Sequence, residues 1–274
     1  MRARPDSWNT LRSLALGVVS LVVTGLVAGS AAAAGDGGPS IAVYGGYSGW
    51  WDHVDLKAYQ LEANFPYLYA RPVGSKGLNG AVATGQIEGV VRYATTSAWY
   101  GMRPTVAVAY REIVGSDTKK SSPTIFRIFP IAFHSDVERK LLRSVALEIG
   151  AEVPLDTVLE GVRLRAFLGP DFSEYRHLLR SYGLSGENGT AIDRAWFPGL
   201  RSGLELTAPV GVDVLGGVSI ALRTVYTRYF GDPSRLEVNV PPLDESLRYA
   251  HLRRSRAMPE DSLSVQIGIE LALY

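Results

Sequence analysis

Four histidines and no cysteine limit the chemistry open to this 274-residue chain. His53, His134, His177 and His251 stand far apart, and none has the close second histidine that lets two imidazoles share a metal. Without a thiol, no disulfide framework, thiolate metal site or cysteine-linked lipid anchor can form. His134-Ser135-Asp136 gathers the three residue types of a serine hydrolase. Adjacent residues on a strand point to opposite faces, however, so they cannot form that triad. The sequence holds no nucleophile elbow, Walker loop or dinucleotide fingerprint. It therefore predicts no enzyme, no metal and no cofactor.

Binding is the other option. His251-Leu252-Arg253-Arg254-Ser255-Arg256 is a basic run in a long polar segment. Arg253, Arg254 and Arg256 could pair with lipopolysaccharide phosphates, or simply face water as charge runs commonly do. A formal net charge of +1 gives no bulk electrostatic reason to bind nucleic acid.

The elements that must position these residues begin after an address. Residues 1–34 read as a cleavable secretory signal. Arg2, Arg4 and Arg12 precede an uncharged apolar run from Leu14 to Val27, and Ala28 to Ala34 supply small-residue cleavage sites. The run falls short of the roughly 20 residues a membrane-spanning helix needs. Residues 35–274 form the second unit, with no later apolar stretch long enough for such a helix. This exported part is either soluble or crosses a membrane as a closed β-barrel.

Its periodicity is two. Leu263, Val265, Ile267, Ile269 and Leu271 alternate with Ser264, Gln266, Gly268 and Glu270. Residues 143–153 and 84–93 behave alike, the pattern of strands with one apolar face. Ten strands are expected, near 41–51, 56–69, 84–98, 103–113, 124–134, 142–153, 158–169, 200–210, 214–230 and 262–274. An irregular first region would leave eight. Ser173 to Tyr182 reads as a short helix ended by Gly183. Tight turns fall at 154–157 and 211–213, and long loops at 170–199 and 231–261. Pairing Val153 with Val158 would put Ile149 opposite Val162, Gly150 opposite Gly161 and Glu148 opposite Arg163. A weak repeat relates 143–149 to 201–206, as two copies of one hairpin plan.

Three features favour a membrane barrel over a soluble sandwich. The inner parity carries both charge signs: Glu88, Arg92, Arg111, Arg127, Glu148, Arg163, Arg165, Glu205, Arg223 and Glu270, a set able to pair inside a lumen. Aromatics gather where strands would meet the membrane surfaces: Trp50, Trp51, Trp99, Tyr100, Trp196 with Phe197, and Tyr229 with Phe230. Several strands are long enough to cross at a tilt. Eight to ten strands leave a filled or very narrow lumen.

With the signal, the opening Ala42-Val43-Tyr44-Gly45-Gly46-Tyr47, Phe129-Pro130-Ile131-Ala132-Phe133, Leu147-Glu148-Ile149-Gly150-Ala151 and the terminal strand to Tyr274, the chain resembles the OmpA-like family of small outer-membrane β-barrels. It departs in one respect: Leu273, not Tyr274, is in phase with the apolar parity. The resemblance implies an all-β, antiparallel, up-and-down transmembrane barrel in the cell outer membrane. It also implies a monomer placed by the barrel assembly machinery among outer-membrane lipid and lipopolysaccharide. The expected role is structural, adhesive or interactive, through long surface loops. The alternatives are a narrow pore, a barrel enzyme acting on envelope lipid, or a soluble secreted β-sandwich or ligand-binding barrel.

Overall fold

The computed structural model describes residues 37–273 apart from 65–66, 115–118, 122–123, 129–130, 156–160, 184–185, 211–216 and 241–248. The signal reading and Tyr274 lie outside these residues. Eleven strands follow in chain order: β1 Gly38–Asn64, β2 Tyr67–Ala94, β3 Arg103–Val114, β4 Lys119–Ser121, β5 Thr124–Ile128, β6 Ile131–Pro154, β7 Arg163–Gly183, β8 Gly186–Pro209, β9 Val218–Tyr229, β10 Ser234–Val240 and β11 Tyr249–Ala272.

All belong to one antiparallel sheet, ordered β1-β2-β3-β6-β7-β8-β9-β11, and β11 pairs back to β1. Eight strands therefore close the ring. The short strands continue two of them: β4 and β5 run on from β3 along β6, and β10 follows β9 along β11. A sandwich has two sheets and open edges; here every ring strand finds a partner on both sides, which is how a sheet survives in hydrocarbon. The soluble sandwich is thereby overturned.

Both parities of the strands near the chain ends are sorted by polarity, and in the direction opposite to a soluble protein. Ile149 and Ile267 are each 63% exposed, whereas Glu88, Glu148, Arg201, Glu205 and Arg223 are fully buried. Val43, Ile87, Val106, Leu168, Leu204 and Leu222 extend the outward apolar band around the ring. Such a band is stable only against lipid. The chain is a transmembrane β-barrel, which also removes the soluble ligand-binding barrel from the alternatives.

The strands then run far past the band. β1 has 27 residues, whereas a tilted strand crosses in about 9–11. Beyond the band the sorting inverts. Trp50, Val54, Leu56, Val137, Leu141, Tyr175, Leu179, Phe197, Leu236 and Val238 fill the interior, and Lys57, Arg194, Arg235, Glu237, Arg254 and Arg256 are exposed outside. This distal part has the apolar inside and polar outside of a protein in water. β10 lies against β7 and β8 as well as β11 and so helps fill that interior.

Several expectations are corrected here. Ser173 to Tyr182 is β7, not helix: Tyr175, Leu178, Leu179 and Tyr182 have helical spacing, but residues 173–182 pair with β6 and β8 on either side. The long loops at 170–199 and 231–261 are largely strand. The breaks expected between 51 and 56 and between 69 and 84 do not occur, and β1 and β2 run through them.

The 154–157 turn is also longer than expected. The ladder ends at Pro154 opposite Arg163, and Leu155 N–H donates to Val162 O at 2.7 Å. Ile149 therefore faces Leu168, Gly150 faces Phe167 and Val153 faces Leu164. The register slips by six residues, an even number, so no side chain changed face. The repeat fails as a plan: Arg143 points outward and Arg201 inward.

Two interior rings depend on absent side chains. A Cβ on Gly203 would lie 2.4 Å from Phe167 Cζ, and one on Gly268 would lie 2.5 Å from Tyr44 Cδ1. Each glycine sits directly across from the aromatic it accommodates.

Candidate functional site

Inside the band, charges from six strands meet. On β6, Glu148 Oε2 accepts from Arg165 Nη2 of β7 at 3.2 Å. Its Oε1 lies 3.2 Å from Arg201 Nε of β8 and also pairs with Arg223 of β9. On β2, Glu88 pairs with Arg201 and, at 3.3 Å, with Arg223. Glu205 of β8 holds Arg92 Nη2 at 2.6 Å, Arg223 Nη1 at 3.1 Å and Arg165 Nη1 at 3.5 Å. Glu270 of β11 takes Arg92 Nη1 at 2.8 Å and the Ser40 hydroxyl of β1 at 2.6 Å.

Four guanidiniums thus face four carboxylates, and each carboxylate binds more than one side chain. The arginine planes are covered as well: Arg223 lies 4.4 Å from the Phe167 ring centroid and 5.1 Å from that of Tyr44. The mouth nearest the chain ends is bounded by Arg163, 3.5 Å from Glu152 and 3.8 Å from Glu270. The cleft there, lined by Arg92, Glu152, Arg163 and Glu270 among others, is small, with a volume of about 30 Å³.

Above the ion cluster, buried polar groups are interspersed with apolar side chains. Arg111 donates to Ser144 at 3.1 Å and to the Tyr229 hydroxyl at 3.2 Å. Tyr175 donates to Asp52 at 3.2 Å, Arg139 pairs with the same carboxylate at 3.4 Å, and the Tyr175 ring meets Trp50 and Phe197 edge-on. These rings and the aliphatic side chains around them lie across the lumen.

Glu88, Arg92, Arg111, Glu148, Arg165, Glu205, Arg223 and Glu270 lie inside, and Arg163 is at the mouth. Glu148 meets Arg165, not Arg163. The side chain of Arg127 lies outside the described residues. Arg201 and Asp171, both fully buried, were missed. Arg201 shares the parity of Glu205 in the same strand; the misleading repeat with Arg143 hid it.

Of the aromatics, Trp51 is exposed beside Asp261 of β11. Trp99 and Tyr100 project from the β2–β3 turn, and Trp196 lies 5.9 Å beneath the Arg143 guanidinium. Trp50 and Tyr229 are corrected: both are buried inside. Adjacent residues on a strand cannot face the same way, so only Trp51 and Phe230 of those two pairs look outward. The basic run is β11, not loop. Arg253 is inside, and Arg254 and Arg256 are outside, with Arg254 2.7 Å from Glu237.

One arrangement has the order of an acid–base–nucleophile chain. His177 Nε2 is 2.9 Å from Ser255 Oγ, its Nδ1 is 3.1 Å from Ser234 Oγ, and Ser234 donates to Asp193 at 2.8 Å. His177 and Ser255 are 0% and 1% exposed. Among the described residues both are enclosed, and the array links β7, β8, β10 and β11 through the distal core. His134-Ser135-Asp136 lies along β6, with Ser135 inside.

No protein-family model matches the chain, and no curated protein matches it in sequence. Solved structures do match. The attachment invasion locus protein Ail of Yersinia pestis is 9% identical, with 85% of this chain and 98% of that one covered and a TM-score of 0.28. Neisserial surface protein A is 10% identical, covering 81% and 97%, with a TM-score of 0.25. The translocator domain of the autotransporter NalP from Neisseria meningitidis is 13% identical, covering 96% and 98%, with a TM-score of 0.30.

Proposed function

We propose that this chain is a sealed outer-membrane barrel of the OmpA-like kind. Its lumen holds the sheet together, and its distal barrel stands above the membrane as a rigid surface for contact. The cluster of Arg92, Arg165, Arg201 and Arg223 with Glu88, Glu148, Glu205 and Glu270 carries this reading. An eight-stranded ring is only wide enough for side chains, and these fill it with interlocked ion pairs below an apolar plug. A conducting pore needs continuous water, and an enzyme needs an open cleft at its reactive groups.

The orientation follows from the connections. Residues 95–102, 155–162 and 210–217 join strands at the end where β1 starts and β11 finishes. Those connections leave the apolar band directly, whereas at the other end the strands run on far past it; the long excursions of an outer-membrane barrel face outside the cell, which puts the distal barrel there. Export and insertion then require the secretory signal and the barrel assembly machinery.

Planar-bilayer recording of the refolded, heat-modifiable protein tests the seal. No single-channel steps are expected in about 1 M salt, where surface charge is screened within a few ångströms. Reproducible steps from the wild-type chain would establish a pore instead.

A further inference from the structure

Within the apolar band β8 is paired on both sides, with β7 and β9; beyond Pro198 it keeps β7 alone. β9 ends at Tyr229, and the chain crosses to β11 as β10. There β10 packs against β7 and β8, with Ser234 meeting Asp193 and His177, but it joins no ladder with β8. The register fixes which backbone groups this leaves open. Pro198 O accepts from Phe230 N–H at 2.8 Å on the β9 side, and successive residues turn their peptide groups to alternate edges. Pairing with β7 has no shift from Gly189 to Thr207, so Ile192 and Arg194 direct both N–H and C=O to that same side. Among the described residues, no strand pairs with them there.

An open edge is a template for another strand, and proteins blunt the edges they do not use. β10 is blunted: it has seven residues, with Pro233 before it and Pro241-Pro242 after it. β8 has no proline from Gly186 to Phe197, and Ile192, whose backbone faces the open side, is 54% exposed. Its two faces set what can pair. Ala191 and Ala195 pack against the distal core, so apolar side chains suit that face. Arg194 is exposed on the outer face, with Arg176 directly opposite on β7; a carboxylate on its open side supplies the opposite charge. A second copy does not fit. Two upright barrels related by a twofold along the membrane normal would bring strands tilted near 45° together at about 90°, crossed rather than paired.

We propose that residues 191–195 of β8 take up an extended polypeptide as an added antiparallel strand, its side chains alternating between apolar and acidic. Backbone hydrogen bonds with Ile192 and Arg194 supply the pairing, and the alternation supplies the choice of partner. Acidic residues lie outward opposite Arg194, and apolar ones cover the flank of the distal core beside Ala191 and Ala195. This assignment rests on the reading of the distal barrel as a contact surface outside the cell, and it names the partner class: a protein segment presented there in extended form.

Fluorescence anisotropy of the refolded, heat-modifiable full chain tests it, with labelled peptides of about nine residues, an ordinary strand length. One peptide alternates valine with glutamate and the other valine with lysine. Wild type should bind the glutamate peptide about tenfold more tightly than the lysine peptide. N-methylation at the glutamates, whose N–H groups face β8 in this pairing, should cost about tenfold, the worth of one or two hydrogen bonds. N-methylation at the valines, which point the other way, should not. Ile192→Pro removes an N–H from the open edge and spares the β7 ladder, so it should lose about tenfold. Arg194→Glu, an exposed change, should turn the preference toward the lysine peptide, and it decides the matter if Ile192→Pro folds poorly. No binding by wild type, equal binding by folded Ile192→Pro, equal loss from the two methylation patterns, or an unchanged preference in Arg194→Glu would overturn the proposal. Such a failure leaves the sealed barrel standing. Conductance would sink that reading separately.

Discussion

Replacing Glu148 with Gln keeps the side chain's volume and removes one negative charge from the middle of the lumen. Glu148 ties β6 to β7, β8 and β9 through Arg165, Arg201 and Arg223. With Gln, a buried set in which Arg92, Arg111, Arg165, Arg201 and Arg223 balance Glu88, Glu148, Glu205, Glu270 and Asp171 loses one negative charge where water has little access. Breaking a buried pair by removing one partner costs about 3–5 kcal/mol. Glu148→Gln should therefore lower the unfolding free energy in urea-titrated micelles by about that much, followed by tryptophan fluorescence and the heat-dependent gel shift.

The double variant Glu148→Gln/Arg223→Met restores charge balance. It should cost at least about 1 kcal/mol less than the sum of its two single variants, since contacting residues couple. A loss under about 1 kcal/mol for Glu148→Gln, together with additive behaviour in the cycle, would mean that each charge is separately hydrated. The lumen would then be a water-filled channel, and the argument for a seal would fail.

Three further outcomes probe other parts of the molecule. Ile267→Arg, in the lipid-facing band, should cost about 2–4 kcal/mol, whereas Ile192→Arg on the distal exterior should stay within about 0.5 kcal/mol; equal costs on refolding titration would misplace the membrane. Gly203→Leu should drive a side chain into the Phe167 ring and lower stability by about 1–3 kcal/mol or more, read as reduced heat-modifiable protein; wild-type yield would contradict the close approach. His177 lies beyond the band, where burial, with Arg139 secondarily, pulls its pKa from 6.5 down to about 3. The unfolded imidazole takes up a proton as pH falls below 6.5 and the folded one does not, so its contribution is intact above pH 6.5 and lost progressively toward pH 3. His177→Gln should flatten that part of the stability–pH curve, and an unchanged slope would refute the assignment.

How much of this was legible beforehand depends on the range of each interaction. Alternation along residues 143–153 and 262–271 is local, so the inward placement of Glu148 and Glu270 and the outward placement of Ile149 and Ile267 could be read directly. The adjacent Trp50-Trp51 and Tyr229-Phe230 pairs were readable too, had alternation been applied to them: one of each pair must face inward. Residues 173–182 were harder. Leu178 and Leu179 are neighbours on opposite faces of β7, and both are buried, so the pattern that marks a strand is blurred just where the exterior stops being lipid-facing.

Register and partners lay outside any single strand's pattern. A slip of six residues preserves every face, so the amphipathic pattern tolerated the wrong Glu148 partner; the observed ladder sets Arg165 opposite Glu152, and only the packing of side chains in the lumen brings it to Glu148. The meeting of Glu88 with Arg201, or of Arg92 with Glu205, spans 113 residues and exists because the sheet closes. By itself, then, the amino-acid order determined strand period, side-chain faces and the need for a lipid-facing band, all consequences of nearest-neighbour geometry. Tertiary structure alone decided the eight-strand closure, the length of the distal barrel, the reversal of inside and outside polarity above the band, and which charges pair, because each depends on segments distant in sequence coming together in space.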